Sequence, residues 1–290
     1  MVLPAVLALV ALALVLFYPD AEGTEKHGTQ PEYHINTGHI FGTYYNIRYR
    51  FDCDLEKDIL ATLQEFDASL STFNQQSVIS LINRNLSDHT DTYFERMFAV
   101  AQHVSELSGG AFDITVAPLV NAWGFGFESR SNTDAAVIDS LRRFVGYEKV
   151  KIENHRLFKA DERVMLDASA IAKGYSCDVV AELLESKDIN NYLVDIGGEV
   201  RCKGRNADSA LWAVGIDRPQ DDLAGTNHEL EAILRSDNMS IATSGNYRQF
   251  YYISGSRAEV GSSKSITSGC MHSARTMATR CFWPPESSDG

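Results

Sequence analysis

The chain has 290 residues and a formal net charge of −13, and 44% of its residues are hydrophobic. Because a phosphate backbone selects basic surfaces, this charge argues against nucleic acid as a partner, although it permits a nucleotide held by backbone amides and one or two cations. The length allows one large domain or two small ones.

Residues 2–18 form an unbroken apolar run. Such a run fits either the core of a signal peptide or a short membrane anchor, and both place the rest of the chain outside the cytoplasm. We therefore expect residues 1–18 to be a signal peptide or anchor that brings the protein to the membrane. The polar residues 19–37 are expected to form a linker.

Helices and strands alternate irregularly along the rest of the chain. The hydrophobic patterns predict a strand at 39–51, helices at 55–70, 77–83, 94–107 and 133–145, and a hairpin formed by 150–158 and 163–166. A helix after residue 168 and strands at 192–196, 199–202, 211–216, 232–234 and 239–243 follow. Because the strands come in adjacent pairs rather than one per helix, the order predicts an α+β fold with mixed, largely antiparallel sheets.

The stretch from Leu166 to Asp178 joins an apolar run to a helical pattern. Asp167 and Ser169 are residue types that begin helices, and the start of a helix suits a phosphate because its backbone N–H groups are unpaired. Lys173 adds a positive charge one turn later. Gly174 costs about 1 kcal/mol against Ala inside a helix, so we expect another group to pack close to it. An ordinary junction between a strand and a helix remains the alternative interpretation.

Several ordered motifs carry a family resemblance. They are Phe41-Gly42-Thr43, Ser71-Thr72-Phe73 with Ser77 and Asn83, Gly110 to Asp113, Pro118 to Gly124, Leu166 to Asp178, Val194 to Glu199, Trp212 to Pro219 and Ala242 to Arg248. Over about residues 38–257 the chain resembles the ApbE-type FAD:protein FMN transferases, magnesium-dependent enzymes of the periplasmic side. The resemblance implies a T-fold-like architecture for these residues.

The resemblance also implies roles for individual residues. The residues that would line the flavin nucleotide site are Phe41, Phe73, Ala111, Phe112 and Asp113, and those that would contact FAD are Asp167 and Lys173. Ala170 would offer its backbone carbonyl to Mg²⁺, and Thr279 matches a second metal ligand. The family usually has Met and Tyr where this chain has Phe41 and Phe73.

Four of these segments also have plain structural interpretations. Phe41 and Phe73 would serve equally as core aromatics, and Asp113 as a cap at the end of a strand. Gly197-Gly198 would be a hairpin turn, which we take to be its main role.

The implied reaction moves FMN from FAD to a Thr or Ser hydroxyl of a partner flavoprotein, with release of AMP. Such phosphoryl transfer needs charge neutralisation and in-line positioning more than a nucleophile of the enzyme's own. FAD would be the substrate and Mg²⁺ the cofactor.

The C-terminal part departs from the family pattern. A His and Asp-Pro segment is missing after Arg257, and Arg275 stands where the family has a metal-binding Asp. Because a guanidinium cannot coordinate a cation, this change bears directly on activity. We expect residues 258–290 to be a divergent, truncated or frame-altered tail. The alternatives are therefore a catalytically impaired FAD-binding protein, or a pyrophosphatase that cleaves FAD to FMN and AMP.

Overall fold

A computed structural model describes residues 32–127, 134–217, 230–243, 250–253 and 256–259. The helices in these ranges are α1 (Glu56–Leu70), α2 (Val78–Asn83), α3 (Thr92–Leu107), α4 (Ala117–Ala122), α5 (Ala135–Arg142) and α6 (Ser169–Glu185), with a 3-10 turn at Tyr147–Lys149. The strands are β1 (Glu32–Ile40), β2 (Thr43–Phe51), β3 (Val150–Glu153), β4 (Arg156–Lys159), β5 (Tyr192–Ile196), β6 (Glu199–Lys203), β7 (Trp212–Asp217), β8 (Leu230–Ser236), β9 (Asn238–Ile241), β10 (Phe250–Ile253) and β11 (Ser256–Glu259).

The largest sheet has the strand order β1-β2-β5-β6-β9, and every neighbouring pair in it is antiparallel. Three further two-stranded sheets, β3-β4, β7-β8 and β10-β11, are also antiparallel. Sheets of this kind are built from hairpins rather than from crossover helices. The predicted α+β class with largely antiparallel sheets is confirmed.

One face of the large sheet is apolar and carries two helices. Alternate residues of β2 and β5 are buried on this face because successive side chains of a strand point to opposite sides. They form a core with one stripe of α1 and one of α6. The members of this core include Tyr45, Ile47, Tyr49, Ile59, Leu63, Val180, Leu184, Tyr192, Val194 and Ile196.

A second core lies against the other side of α6. It joins the end of α1 to α2, α3 and the β3-β4 hairpin, and includes Phe66, Leu70, Ile79, Ile82, Phe94, Met97, Val150, Leu157, Leu166, Tyr175 and Val179. Helix α6 therefore packs between both cores. The orientation of the helix is therefore fixed from two sides.

The helices expected from hydrophobic periodicity are all present. The differences from the predicted boundaries concern the strands at 32–51, 150–166 and 256–259. The strand predicted at 39–51 is a hairpin, in which Glu32 pairs with Phe51 and Ile40 with Thr43, so residues 32–37 of the predicted linker belong to β1. Pairing with β2 places these polar residues in a strand, and local hydrophobicity carries no sign of that pairing. Likewise β11 runs through residues 258 and 259, which were assigned to the tail.

The predicted hairpin is also shorter than expected. Its second strand is Arg156–Lys159 and not residues 163–166. The Lys159 ammonium donates to the carbonyls of Ile82, Glu162 and Val164 at 3.0 to 3.2 Å. This half-buried lysine satisfies the carbonyls of Glu162 and Val164, and Met165 pairs with Val116 in an isolated parallel bridge instead of joining the hairpin.

Among the described residues, no helix has the length and apolar character that crossing a bilayer requires. The apolar run at 2–18 lies outside the described residues.

Candidate functional site

The candidate site is built around the start of α6. The Asp167 amide donates to the carbonyl of Ile114 at 2.7 Å, and the Asp167 carboxylate accepts from the Ser169 amide at 2.8 Å. Asp167 thus satisfies one of the unpaired N–H groups of the first helical turn. Of the two residue types expected to begin this helix, Ser169 is its first residue, and Asp167 precedes the cap position at Ala168. The exposed residues Ser169 and Ala170 form its first positions.

Leu166, the residue before Asp167, is held by the buried side-chain amide of Asn83. Asn83 donates from Nδ2 to the carbonyl of Leu166 at 2.8 Å and accepts at Oδ1 from the Leu166 amide at 2.7 Å. Asn83 is 4% exposed, so these bonds form away from water. The end of α2 therefore fixes the backbone that delivers Asp167 to the site.

The turn that carries Asp113 packs beside the same backbone. Asp113 is buried, and its Oδ1 accepts from the Thr115 amide at 2.7 Å and from the Thr115 hydroxyl at 2.6 Å. Burial raises the pKa of the Asp113 carboxyl, and the bonds from Thr115 partly oppose that rise. Because Ile114 accepts from Asp167, the structure brings the two predicted segments into direct contact.

Asp113 therefore acts as a cap, but of its own turn and not of a strand. In the same segment Ala111 is exposed and Phe112 is half-buried against the helical core. The Phe112 amide donates to the Ser108 hydroxyl at 3.1 Å. The exposed Ala111 leaves this turn open to a ligand, whereas the Asp113 carboxylate is already engaged.

Two further turns meet at Lys173. The Gly197 amide donates to the carbonyl of Tyr44 at 2.9 Å, which ties the β5-β6 turn to the β1-β2 turn. A Cβ placed on Gly197 would lie 2.8 Å from Cγ2 of Thr43 and 3.4 Å from Cδ of Lys173. Gly197 also has φ +63°, which suits the hairpin-turn role assigned to Gly197-Gly198.

Lys173 forms an ion pair with Glu199. The distance from Nζ to Oε1 is 3.2 Å, and the lysine side chain is 43% exposed while that of Glu199 is 12% exposed. Burial raises the pKa of the Glu199 carboxyl, and the charge of Lys173 opposes this rise. The ammonium thus stands at the surface with its counter-ion beneath it, one turn after the exposed helix start.

The two aromatic residues assigned to the flavin site differ in environment. Phe41 is half-buried between both cores, with its ring centroid 5.7 Å from that of Phe66. Its φ of +55° is unusual for a bulky residue and belongs to the tight β1-β2 turn. Phe73 is 74% exposed in the loop after α1, so the interpretation of it as a core residue is wrong. Phe41 partly fits that interpretation.

Gly174 does not have the close neighbour that its position in a helix suggested. No described atom lies within 4 Å of a Cβ placed on it. It lines a cavity of about 130 Å³ between α6 and the β6-β9 edge, whose other lining residues are Cys177, Asp178, Val200, Arg201, Ser240, Ile241 and Ala242. The expectation of close packing is therefore wrong for the described residues, and the bare helix surface at Gly174 faces open space.

Of the two predicted metal ligands, only Ala170 lies within the described residues. Ala170 lies in the exposed first turn of α6, where its carbonyl was expected to bind Mg²⁺. Thr279 and Arg275 lie outside the described residues. In the described ranges no group of three or more His, Cys, Asp or Glu side chains is arranged to hold a metal. Mg²⁺ prefers about six oxygen ligands, so the described residues alone do not complete a site for it.

Three supporting residues escaped prediction as parts of the site. Asn83 and Glu199 are only members of the family motifs, and Thr115 lies two residues after the Gly110 to Asp113 motif. Each acts through a contact between residues far apart in the chain, which no local pattern reports. One sequence feature pointed to a role in the site, namely the charged residue Glu199 at the first position of a strand that follows a glycine turn.

The chain is similar to known proteins over most of its length. The sequence profile of the ApbE family matches residues 41–261. A FAD:protein FMN transferase of Vibrio cholerae is 36% identical over 261 residues, which cover 86% of this chain and 75% of that protein. One from Haemophilus influenzae is 33% identical and covers 76% of this chain and 68% of its own.

The fold gives the same result. The solved structure of the flavin transferase ApbE from Vibrio cholerae superposes with a TM-score of 0.67 at 35% identity, covering 78% of this chain and 75% of that one. The residues that match the family profile, 41–261, include the turns at 41–43, 111–115 and 197–199 and the start of α6. This chain belongs to the ApbE family.

Proposed function

We propose that this protein is a FAD:protein FMN transferase. It moves the FMN part of FAD to a Thr or Ser hydroxyl of a partner flavoprotein and releases AMP. The carrying observation is a set of contacts around the start of α6. Ile114 accepts from the amide of Asp167, Glu199 pairs with Lys173, and Gly197 lies between Lys173 and Thr43. The names of the similar proteins of Vibrio cholerae and Haemophilus influenzae support the same activity.

The residues of this arrangement suit a bound diphosphate. The first turn of α6 presents backbone N–H groups with a positive dipole end, and Lys173 adds a full charge beside them. In the transfer, the bond between the FMN phosphorus and the bridging oxygen breaks, and a phosphoester forms with the acceptor hydroxyl. The AMP phosphate leaves with the bridging oxygen, and the hydroxyl proton passes to solvent or to a base. Lys173 and the helix start neutralise charge on the phosphates.

The aromatic and polar residues around this start have separate tasks. Phe41 and Phe73 offer apolar surface to the flavin ring, with Phe73 free to pack on it from the exposed loop. Ala111 and Phe112 form the adjoining wall. Asp113 and Asp167 hold the backbone of their two turns in place, and Asp167 also lies next to the exposed helix start.

Dependence on Mg²⁺ forms part of the proposal and rests on the sequence resemblance. When bound, the ion would supply Lewis-acid charge neutralisation at the phosphates. The residues assigned to it are Ala170 and Thr279, and the described residues alone do not complete its site. Removing divalent cations with a chelator and then restoring Mg²⁺ tests this part. Unchanged transfer in the chelator would contradict it.

The direct test uses purified protein, FAD, Mg²⁺ and a flavoprotein subunit with an acceptor Thr or Ser. Activity gives an acceptor whose mass has risen by one FMN group and an equal amount of AMP. An acceptor variant with Ala at the modified position is the matched control and must stay unmodified. AMP released without any acceptor would instead indicate hydrolysis of FAD.

A second candidate function is FAD binding without transfer. Arg275 favours it, because a cation stands where a metal-binding carboxylate is expected. Tight FAD binding without an adduct would support this candidate. Adduct formation by an Arg275→Asp variant that the parent chain does not show would then assign the defect to that position.

We also propose that the protein works outside the cytoplasm, on the periplasmic side, and reaches the membrane through residues 1–18. The support is the apolar run at 2–18. Cell fractionation together with the mass of the mature protein tests this proposal. A shortened soluble form indicates a cleaved signal peptide, a full-length membrane form indicates an anchor, and full-length protein in the cytoplasm contradicts the proposal.

A further inference from the structure

Glu199 is the charged group closest to the lysine on which the proposed diphosphate site depends. Its Oε1 lies 3.2 Å from Nζ of Lys173. Its Oε2 is buried and makes no hydrogen bond with any described group. A carboxylate that is 12% exposed and half-satisfied is costly to keep in a fold, so its position calls for a reason beyond stability.

The backbone holds Glu199 in one place. Asp195 accepts at Oδ1 from the Gly198 amide at 3.1 Å, which closes the β5-β6 turn. The Cys177 thiol on α6 donates to the Glu199 carbonyl at 3.2 Å. The backbone of Glu199 is thus attached to the turn on one side and to the helix on the other, and its side chain, which is 12% exposed, extends from this held position.

Lys173 has no comparable restraint of its own. Its side chain is flexible and 43% exposed, and within the described chain Glu199 is the polar group that its ammonium contacts. A lysine ammonium has three N–H donors, so one donor can bind Glu199 while two remain for an anion. Without Glu199 the ammonium would sample many positions, and a ligand would have to order it on binding.

We infer that Glu199 is a positioning residue, which holds the Lys173 ammonium beside the first turn of α6 where the FAD diphosphate binds. This inference rests on the proposed function. Glu199 acts through the lysine and need not touch FAD, and the hydrogen bond to Nζ matters more than the negative charge that it places near the phosphates.

A purely structural role would look different. Strand β6 makes two other ion pairs with α6. In them Arg201 contacts Asp178 at 2.8 Å and Lys203 contacts Glu185 at 3.3 Å. Glu199 would then be one more link between strand and helix. In that case its loss would lower stability as the loss of Lys203 does, and would weaken FAD binding without regard to Lys173.

The test is a double-mutant cycle on FAD affinity, measured by calorimetry on the full chain together with thermal unfolding. Glu199→Ala is expected to weaken FAD binding about tenfold in the wild-type background and not at all in the Lys173→Ala background. Glu199→Gln is expected to stay within about threefold of wild type, because the amide oxygen still accepts from the ammonium. Lys203→Ala is the control and should leave the affinity unchanged, because Lys203 ends β6 and pairs with Glu185 at the opposite end of α6 from the site.

Each contrary result has its own meaning. Equal weakening by Glu199→Ala with and without Lys173 would overturn the inference, as would unchanged affinity in Glu199→Ala. A Glu199→Gln variant as weak as Lys173→Ala would also overturn it, because charge and not position would then be decisive. If Glu199→Ala does not fold, the Gln variant still decides. Absence of FAD binding by the wild-type protein would instead defeat the proposed function.

Discussion

Asn83 forms two hydrogen bonds with Leu166 across 83 residues of chain, one to the carbonyl at 2.8 Å and one from the amide at 2.7 Å. A single side-chain amide thereby satisfies both backbone groups of Leu166, next to the isolated parallel bridge between Met165 and Val116. Because Leu166 directly precedes Asp167, the geometry of the helix start depends on a residue that belongs to another helix.

Replacing Asn83 with Ala is expected to destabilise the fold by about 2–4 kcal/mol, since a buried N–H and a buried carbonyl lose their partners. Urea unfolding measures the loss. FAD affinity should fall as well under conditions where the variant is folded, because Asp167 loses its support. The exposed Asn190 gives a control, and Asn190→Ala should stay within about 0.5 kcal/mol of wild type. Equal stability of the two variants would contradict the role assigned to Asn83.

Thr115 connects two parts of the site through its hydroxyl, which donates to Asp113 and accepts from the Gly146 amide at 2.7 Å. Thr115→Val keeps the shape but removes both bonds, so we expect a loss of about 1–3 kcal/mol in the free energy of unfolding. Thr115→Ser keeps the hydroxyl and should recover most of that loss. A Ser variant as unstable as the Val variant would show that the methyl group, and not the hydroxyl, is important.

Two glycine-to-alanine substitutions should change the stability of the protein in opposite directions. Gly174→Ala is expected to stabilise the free protein by up to about 1 kcal/mol, because alanine favours the helix and its Cβ would meet open space. Gly38→Ala should destabilise it, since a Cβ there would lie 2.7 Å from the Tyr45 ring. Thermal unfolding of both variants tests this pair. A lower melting temperature for Gly174→Ala would show that the space beside the helix is filled in solution.

The buried carboxyl of Asp113 should make stability depend on pH. Its pKa is raised by burial, so its contribution is fully present below the ordinary aspartate pKa of about 4 and is lost as pH rises through the folded-state pKa. Asp113→Asn should therefore be more favourable, relative to wild type, at pH 7 than at pH 3.5. Urea unfolding at both values measures the difference.

Asp161 provides the opposite case for the same experiment. Hydrogen bonds from Arg163 lower the pKa of the Asp161 carboxyl to about 2, so its contribution is present above the ordinary pKa and is lost as pH falls. Asp161→Asn should lose stability at pH 7 and little at pH 2. The same sign of change for both variants would contradict the assignment for Asp113.

Much of the fold was predictable because the hydrophobic pattern of each helix or strand is visible in its own short stretch of sequence. The stripe of Ile59, Leu63 and Phe66 predicted α1, and the apolar run at 192–196 predicted β5. Strand β1 was missed because most of its residues 32–37 are polar and the segment gains its structure from pairing with β2. The second strand of the hairpin was misplaced because Lys159, and not a strand, satisfies the neighbouring carbonyls.

Hydrophobic periods, helix-starting residues and ordered motifs are properties of neighbouring positions, so they are enough to predict the α+β class, the family and the residues at the start of α6. The exposure of Phe73, the cavity beside Gly174 and the position of Glu199 beneath Lys173 became known from the folded arrangement alone. These facts depend on which distant backbones meet. A one-dimensional pattern carries no distances between such segments, and burial, hydrogen bonding and pKa all depend on those distances.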